Sequence, residues 1–179
     1  MNKNIRWITQ TAVMLALLLA LQTLTKGFGQ LVTGTCVNAV LALTALLVGL
    51  NSGLVVALIS PVAAYLLGIA PQILTVPAIM VGNGVYVAML YFMDREGRKG
   101  TLIAGWILAS VAKFAVLYLL VVKVICGIAA EALLAAGTLK APMIDTFSAM
   151  FTWPQLFTAL AGGAAALAVL PVLRKALRR

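Results

Sequence analysis

The stretch FGQLVTGTCVNAVLALTALLVGLNSGLVVALISPVAAYLLGI, residues 28–69, decides the fold, because it contains no charged side chain from end to end. A helix that crosses a bilayer needs about 20 mostly apolar residues, so this stretch has room for two such helices. The Asn51-Ser52-Gly53 triplet is typical of a turn. We therefore predict spans over about residues 34–50 and 54–69. Pro61 lies inside the second of these and predicts a kink rather than an end.

The composition of the whole chain extends this interpretation. Of 179 residues, 64% are hydrophobic and 9% are charged, whereas soluble proteins are about half apolar and about a quarter charged. Four more apolar runs predict spans over residues 5–25, 77–93, 101–125 and 151–173. We therefore expect an all-α integral membrane protein, a bundle of about six transmembrane helices that forms a single domain over residues 1–179.

Several segments interrupt these runs. We expect a loop over residues 70–77, a weakened helix at Gly82-Asn83-Gly84, and an extramembrane loop over residues 127–150 with a short amphipathic helix near 129–136. The first apolar run lacks a small-residue cleavage site, so we predict a retained span rather than a removed signal peptide.

The positions of the basic residues predict the orientation in the membrane, because short cytoplasmic loops are enriched in lysine and arginine. One side of the six-span arrangement collects Lys3, Arg6, Arg95, Arg98, Lys99, Arg174, Lys175, Arg178 and Arg179. The opposite side has only Lys26, Lys123 and Lys140. Both termini are therefore predicted to be cytoplasmic. This distribution also explains the net charge of +9 better than nucleic-acid binding does.

The chemical inventory favours binding or transport over catalysis. The chain has no histidine and only four acids, Asp94, Glu96, Glu131 and Asp145, so the usual metal ligands and general bases are scarce. We predict no metal, no cofactor and no enzyme activity. A phosphate-binding loop of the GxxxxGK[ST] type is absent from the sequence, so active transport requires energy from another subunit.

Lys113 is the strongest single indication of a functional site in the sequence, because a charged side chain near the bilayer centre costs several kcal/mol and must face protein or water. On a helix it shares a face with Trp106, Ser110 and Leu117. With no acid inside an assigned span, Lys113 is a candidate for binding an anionic ligand. The alternative is a lysine that snorkels or pairs inside the bundle.

Other polar side chains are candidates for the same site. Asn83 and Tyr86 offer an amide and a hydroxyl at mid-depth of span four, and hydrogen bonds across helices explain them equally well. Trp153 and Gln155 open span six, where an aromatic-belt role is the alternative for the tryptophan. The predicted solute-binding residues are Lys113, Asn83, Tyr86, Ser110, Trp153, Gln155, Gln72 and Gln30.

Small residues form a stripe along span one. Ala12, Ala16 and Ala20 recur every four residues, which places them on one helix face where another helix can approach closely. Chance in an alanine-rich span, or packing inside the bundle, is the alternative. A second small patch, AGGAAA over residues 161–166, is better explained by close packing within the bundle.

Three features of the sequence point to one family: about six spans in fewer than 200 residues, the AVMLA sequence from Ala12 to Ala16, and the glycine-rich turn and short spans of residues 28–69. In these features the chain resembles a substrate-binding S-component of an energy-coupling factor (ECF) transporter. The resemblance covers nearly the whole chain. It implies that Ala12 and Ala16, extended by Ala20, dock on a transmembrane coupling subunit that rests on two ATPase subunits. It also implies a bacterial plasma-membrane location and a solute pocket in the outer half of the bundle, lined by spans four to six.

These S-components bind vitamins, vitamin precursors or metal ions, and the metal-specific branch uses an N-terminal histidine that this chain lacks. Lys113 favours a solute with a carboxylate or phosphate, such as pantothenate or nicotinate. The main alternative is an accessory or structural membrane protein that packs against a larger complex and binds no solute. A membrane enzyme is the third possibility.

Overall fold

The computed structural model describes residues 2–69, 72–95 and 99–177, and every regular element in those ranges is helical. The helices are α1 (Lys3–Thr25), α2 (Gln30–Leu43), α3 (Leu50–Leu66), α4 (Val76–Asp94), α5 (Lys99–Leu117), α6 (Ala130–Ala135), α7 (Ala141–Met150) and α8 (Trp153–Leu177). Two of them continue in the wider π-helical geometry, α2 through Thr44–Val48 and α5 through Tyr118–Ile128. Short 3₁₀ turns occupy Lys26–Phe28 and Ile73–Thr75.

The apolar helices confirm the predicted fold class. Five helical segments are long and apolar enough to cross a membrane, Lys3–Phe28, Gln30–Val48, Ile73–Asp94, Gly100–Ile128 and Ala141–Leu177. The remaining predicted span, over residues 54–69, corresponds to α3, which is apolar but shorter. At a rise of 1.5 Å per residue, its 17 residues cover about 25 Å, slightly less than a typical hydrocarbon core.

The turn between the second and third spans lies earlier than predicted. Gly49 makes it with φ of 117°, a conformation that favours glycine, and α3 already begins at Leu50. The Asn51-Ser52-Gly53 triplet lies in the first turn of α3, so the prediction of a turn there was wrong. The triplet packs instead, because the Ser52 hydroxyl accepts a hydrogen bond from Thr11 of α1 at 2.7 Å and a Cβ on Gly53 would collide with Val87.

The segment between the fifth and sixth spans is more helical than predicted. The short helix predicted near residues 129–136 is confirmed as α6, but the loop expected after it contains α7. Pro142 lies in the first turn of α7, where its missing N–H is not needed. Phe147 of α7 and the following Phe151 are buried against Leu117 and Val121 of the α5 segment, and this packing stabilises the helix.

Two glycine-containing segments allow close packing rather than breaking helices. The α4 helix runs without interruption through Gly82-Asn83-Gly84, where weakening was expected, and Gly82 leaves room for Leu117 of α5. Part of the small patch of α8 packs inside the bundle, as predicted: Gly162, Gly163 and Ala166 are buried, while Ala164 and Ala165 are exposed. A Cβ on Gly162 would lie 2.5 Å from the Thr35 carbonyl oxygen, so the backbones of α8 and α2 approach closely at this glycine.

Some predictions fall outside the described residues. They concern Glu96 and Arg98 in the segment after α4, Arg178 and Arg179 at the C-terminus, and Ala70 and Pro71 in the predicted loop before α4. Gln72 is described, and α4 begins at Val76, one residue before the predicted boundary at Pro77.

Candidate functional site

A cavity of about 420 Å³ lies at the end of the bundle where α1 and α3 end and where α2 and α4 begin. We call it the central cavity. Its volume is in the range of about 300–1,000 Å³ that is usual for small-molecule sites. It is lined by Gln22, Lys26, Gly29, Gln30, Thr33, Gly34, Val37, Asn38, Ser60, Pro61, Ala64, Gly68, Ile69, Ile79, Asn83, Lys113, Met150, Phe151 and Gln155.

The deep end of the cavity holds a cluster of three polar side chains from three helices, Lys113 of α5, Asn38 of α2 and Asn83 of α4. The Lys113 Nζ donates to the Oδ1 atoms of both asparagines, at 2.6 Å each. All three side chains are at least 97% buried. We call this group the lysine–asparagine cluster. It is the part of the cavity where a lysine amine is held among neutral partners.

Neighbouring groups fix the orientation of this cluster. The Asn38 Nδ2 donates to the Gly34 carbonyl at 2.9 Å and to the Thr158 hydroxyl at 3.3 Å, so its Oδ1 faces Lys113. The Lys113 Nζ also lies 5.5 Å from the centroid of the Tyr86 ring, a cation–π distance. The Tyr86 hydroxyl in turn donates to the Ala159 carbonyl of α8. The lysine therefore has a fixed position at the deep end of the cavity.

The charged side chains that line the described part of the cavity are all basic. Lys113 and Lys26 both line it, and no carboxylate does so among the residues that the structure describes. Amide oxygens offer hydrogen bonds to a lysine but do not cancel its charge. Because a buried charge without a counter-ion is costly, the cavity is suited to a solute that brings a negative charge.

The cavity wall between the lysine–asparagine cluster and the mouth has unused hydrogen-bonding capacity. Gln22 of α1 and Ser60 of α3 line the cavity and are both more than 90% buried. Within the described part of the chain, neither the Gln22 Oε1 nor the Ser60 Oγ has a hydrogen-bond partner. Buried polar atoms are nearly always satisfied in folded proteins. These two atoms are therefore available to a bound molecule.

The predicted site residues divide into two groups. Lys113, Asn83, Gln155 and Gln30 line the central cavity. The Nε2 atoms of Gln30 and Gln155 both donate to the Met150 carbonyl, at 2.8 and 3.3 Å, so they join α2 and α8 to the end of α7. These two glutamines hold the rim of the cavity together.

The other four predicted residues do not line the cavity. Tyr86 and Ser110 are fully buried behind the lysine–asparagine cluster, where the Ser110 hydroxyl donates to the Trp106 carbonyl at 2.9 Å. Gln72 donates to the Thr138 carbonyl and links the start of α4 to the α6–α7 connection. Trp153 is 78% exposed at the start of α8.

Among the cavity residues that sequence reasoning missed are three buried polar ones, Asn38, Gln22 and Ser60. Each was visible as a single polar side chain inside an apolar run. An amide or hydroxyl in a membrane span needs a partner in the protein or in a ligand. That signal marks such residues as candidates, but the side chains they face depend on the packing of the helices.

The alanine stripe of α1 is exposed along its length. Ala12, Ala16 and Ala20 all face away from the bundle, while Thr11, Leu18 and Gln22 of the same helix face inward. The outward face of α1 is therefore smooth at three successive turns.

These features define a class: a membrane-embedded helical protein with an internal polar cavity of the size of a small molecule. The chain matches the family described as "ECF transporter, substrate-specific component" over residues 10–174, and it belongs to that family. It is therefore a component of a transporter, as the sequence resemblance predicted, and the family is not an enzyme family. Searches of curated proteins and of solved structures find no match to it.

Proposed function

We propose that this chain is the solute-capturing subunit of an ECF-type ABC importer, and that residues 1–179 act as one transmembrane domain. It binds a vitamin or vitamin precursor in the central cavity and delivers it through a separate coupling subunit driven by two ATPase subunits. The family membership supports the role of a substrate-specific component. The observation that carries the proposal is the lysine–asparagine cluster at the deep end of a cavity of suitable size.

We further propose a bacterial plasma-membrane location with both termini in the cytoplasm. The described basic residues support this orientation, because Lys3, Arg6 and Arg95 lie at the end of the bundle opposite the central cavity. In this orientation the cavity opens to the outside, where a captured solute enters.

The proposed solute carries an acidic group, as pantothenate and nicotinate do. Lys113 binds this group with help from Asn83, while Gln30 and Gln155 contact the solute near the rim. Tyr86 and Ser110 support the cluster from behind, and Trp153 and Gln72 act outside the cavity. The absence of a lining carboxylate in the described residues supports an anionic solute over a cationic one.

The alanine stripe is proposed as the docking face for the coupling subunit. Its exposure supports this role, because small side chains allow two helix backbones to approach closely in lipid. Large side chains such as Val13, Leu17 and Leu24 flank it on the exposed surface of α1.

The test is affinity purification of the tagged protein from its native membranes, with the bound subunits identified by mass spectrometry. The wild-type protein should retain a transmembrane coupling subunit and two ATPase subunits. Ala16→Trp should lose most of these subunits, because the bulky ring separates the helix backbones. The folding of the variant is checked by its elution in size-exclusion chromatography.

The matched control is Ala115→Trp, which places the same ring on an exposed alanine of α5, a helix with few contacts to α1. It should retain the subunits at the wild-type level. Equal retention by wild type and Ala16→Trp would contradict the docking role of the stripe. A wild-type protein that retains no ATPase subunit would contradict the proposed function.

A further inference from the structure

We propose that the central cavity recognises its solute at two points: a carboxylate at Lys113 and Asn83, and an O–H or N–H donor at Gln22, nearer the mouth. This inference rests on the proposed function and names the substrate class of the same site. The solute is thus a carboxylic acid with a hydroxyl or amide group at some distance from the acid.

The deep end of the cavity presents hydrogen-bond donors. A lysine ammonium has three N–H groups, and two of them are directed at Asn38 and Asn83. Since the Asn83 Oδ1 accepts from Lys113, its Nδ2 group is the part of the amide left for the cavity. An ammonium N–H beside an amide N–H matches the two oxygens of a carboxylate.

The wall nearer the mouth presents acceptors. The Gln22 side-chain oxygen is buried and lacks a partner among the described residues, and the Gln22 residue is 8% exposed. An unsatisfied acceptor of this kind is matched by an O–H or N–H group of the solute. Ser60 lies deeper in the cavity, on α3. Its hydroxyl either donates or accepts a hydrogen bond, so it pairs with a donor or an acceptor in the middle part of the solute.

The helices give the separation of the two points along the bundle. Asn38 is eight residues from the start of α2 and Asn83 is seven residues from the start of α4, so both lie about 10–12 Å below the mouth at 1.5 Å per residue. Gln22 is three residues from the end of α1, about 4–5 Å below it. The acid and the donor of the solute are therefore about 6 Å apart along the helix axes.

This arrangement excludes two kinds of solute. A cationic solute meets two lysines and no carboxylate among the described lining residues. A simple acid without a distal donor, such as nicotinate, leaves the Gln22 oxygen buried and unpaired, and sites built to bond a solute group discriminate strongly against analogues that lack it. Of the two acids named above, only the one with such donors, pantothenate, therefore fits the site.

The experiment identifies the small molecule that the detergent-purified wild-type protein retains, by releasing it with denaturant and analysing it by mass spectrometry. Its amount per protein is then compared with that of Gln22→Leu and of the control Gln10→Leu, on the same helix but outside the cavity. We expect a carboxylic acid with a hydroxyl or amide group. Gln22→Leu should weaken its binding about tenfold and Gln10→Leu should leave it unchanged.

The outcomes separate this inference from the proposed function. A retained solute without an acid group overturns the substrate class but leaves solute capture intact. Unchanged binding in Gln22→Leu overturns the second point of contact. If the wild-type protein releases no organic molecule, and none of a panel of vitamins raises its thermal unfolding temperature, the proposed function fails as well.

Discussion

Two basic side chains of the helical bundle, Lys113 and Arg174, are held in opposite ways. Arg174 of α8 lies at the end of the bundle where α1 begins and α8 ends, and it pairs with Asp94 of α4 at 2.5 Å, with both side chains partly exposed. It also donates to the Leu46 carbonyl. Lys113 is almost fully buried and contacts two neutral amides. Arg174–Asp94 is the one ion pair among the described residues.

The difference determines which of the two side chains attracts an anionic ligand. Arg174 has its counter-ion within the protein, so it joins helices and leaves little attraction for a ligand. Asn38 and Asn83 place Lys113 but give it no counter-ion among the described residues, and a charged lysine at such depth costs about 2.5–3.5 kcal/mol on membrane-insertion scales. We infer that a bound acid supplies the missing charge.

The largest effect is expected when Lys113 is given a counter-ion of its own. Asn83→Asp places a carboxylate where the Asn83 oxygen lies, 2.6 Å from Nζ. It pairs with the lysine and repels an acidic solute, so the affinity should fall about 1,000-fold, while the unfolding temperature should not fall. Isothermal titration calorimetry with the solute released from the wild-type protein measures the change.

The control for this variant is Asn51→Asp, the same change at an exposed asparagine outside the central cavity. It should bind the solute as the wild type does. If Asn83→Asp also binds normally, Lys113 does not contact an anionic group.

A smaller loss is expected when the charge is removed. Lys113→Met keeps most of the apolar stem and deletes the ammonium, so it should bind the solute about 10- to 100-fold more weakly, the loss of about 1.5–3 kcal/mol of a charge-assisted contact. Lys123→Met, at an exposed position ten residues further along the chain, is the control and should bind normally. The same calorimetric titration applies to both variants.

The smallest effect is expected at the other charge. Asp94→Asn removes the counter-ion of Arg174, but this pair is partly exposed and such pairs contribute about 0–1 kcal/mol. Thermal unfolding in detergent should shift by a few degrees at most, and solute affinity should not change. A loss of affinity comparable to that of Asn83→Asp would remove the distinction between the two sites.

Much of the fold was predictable from the sequence, because the length of an apolar run is a local property. The six spans follow from it, and the small-residue patch over residues 161–166 predicted the buried glycines of α8. The turn at Gly49 was not predicted, because the Asn51-Ser52-Gly53 triplet is typical of a turn in sequence, whereas in the fold Gly53 packs inside α3 against Val87. The α7 helix was missed because Lys140 and Asp145 resemble loop residues, while its stabilising contacts come from α5.

The site was predictable only in part. Lys113 and Asn83 were found from their depth in apolar helices. Asn38 was not, because it lies 75 residues from Lys113 in the chain and only the packing of α2 against the rest of the bundle joins them. The unpaired oxygen of Gln22 is likewise a property of the folded bundle, since a sequence does not show which polar atoms remain without partners.

The most direct test of the central claim is a thermodynamic cycle on one contact, the proposed one between Lys113 and the acid of the solute. Affinities are measured for wild type and Lys113→Met, each with the released solute and with its primary amide. We expect the wild type to prefer the acid by about 10- to 100-fold and Lys113→Met to show no preference. An equal preference for the acid in both proteins would contradict the claim that Lys113 binds the negative charge.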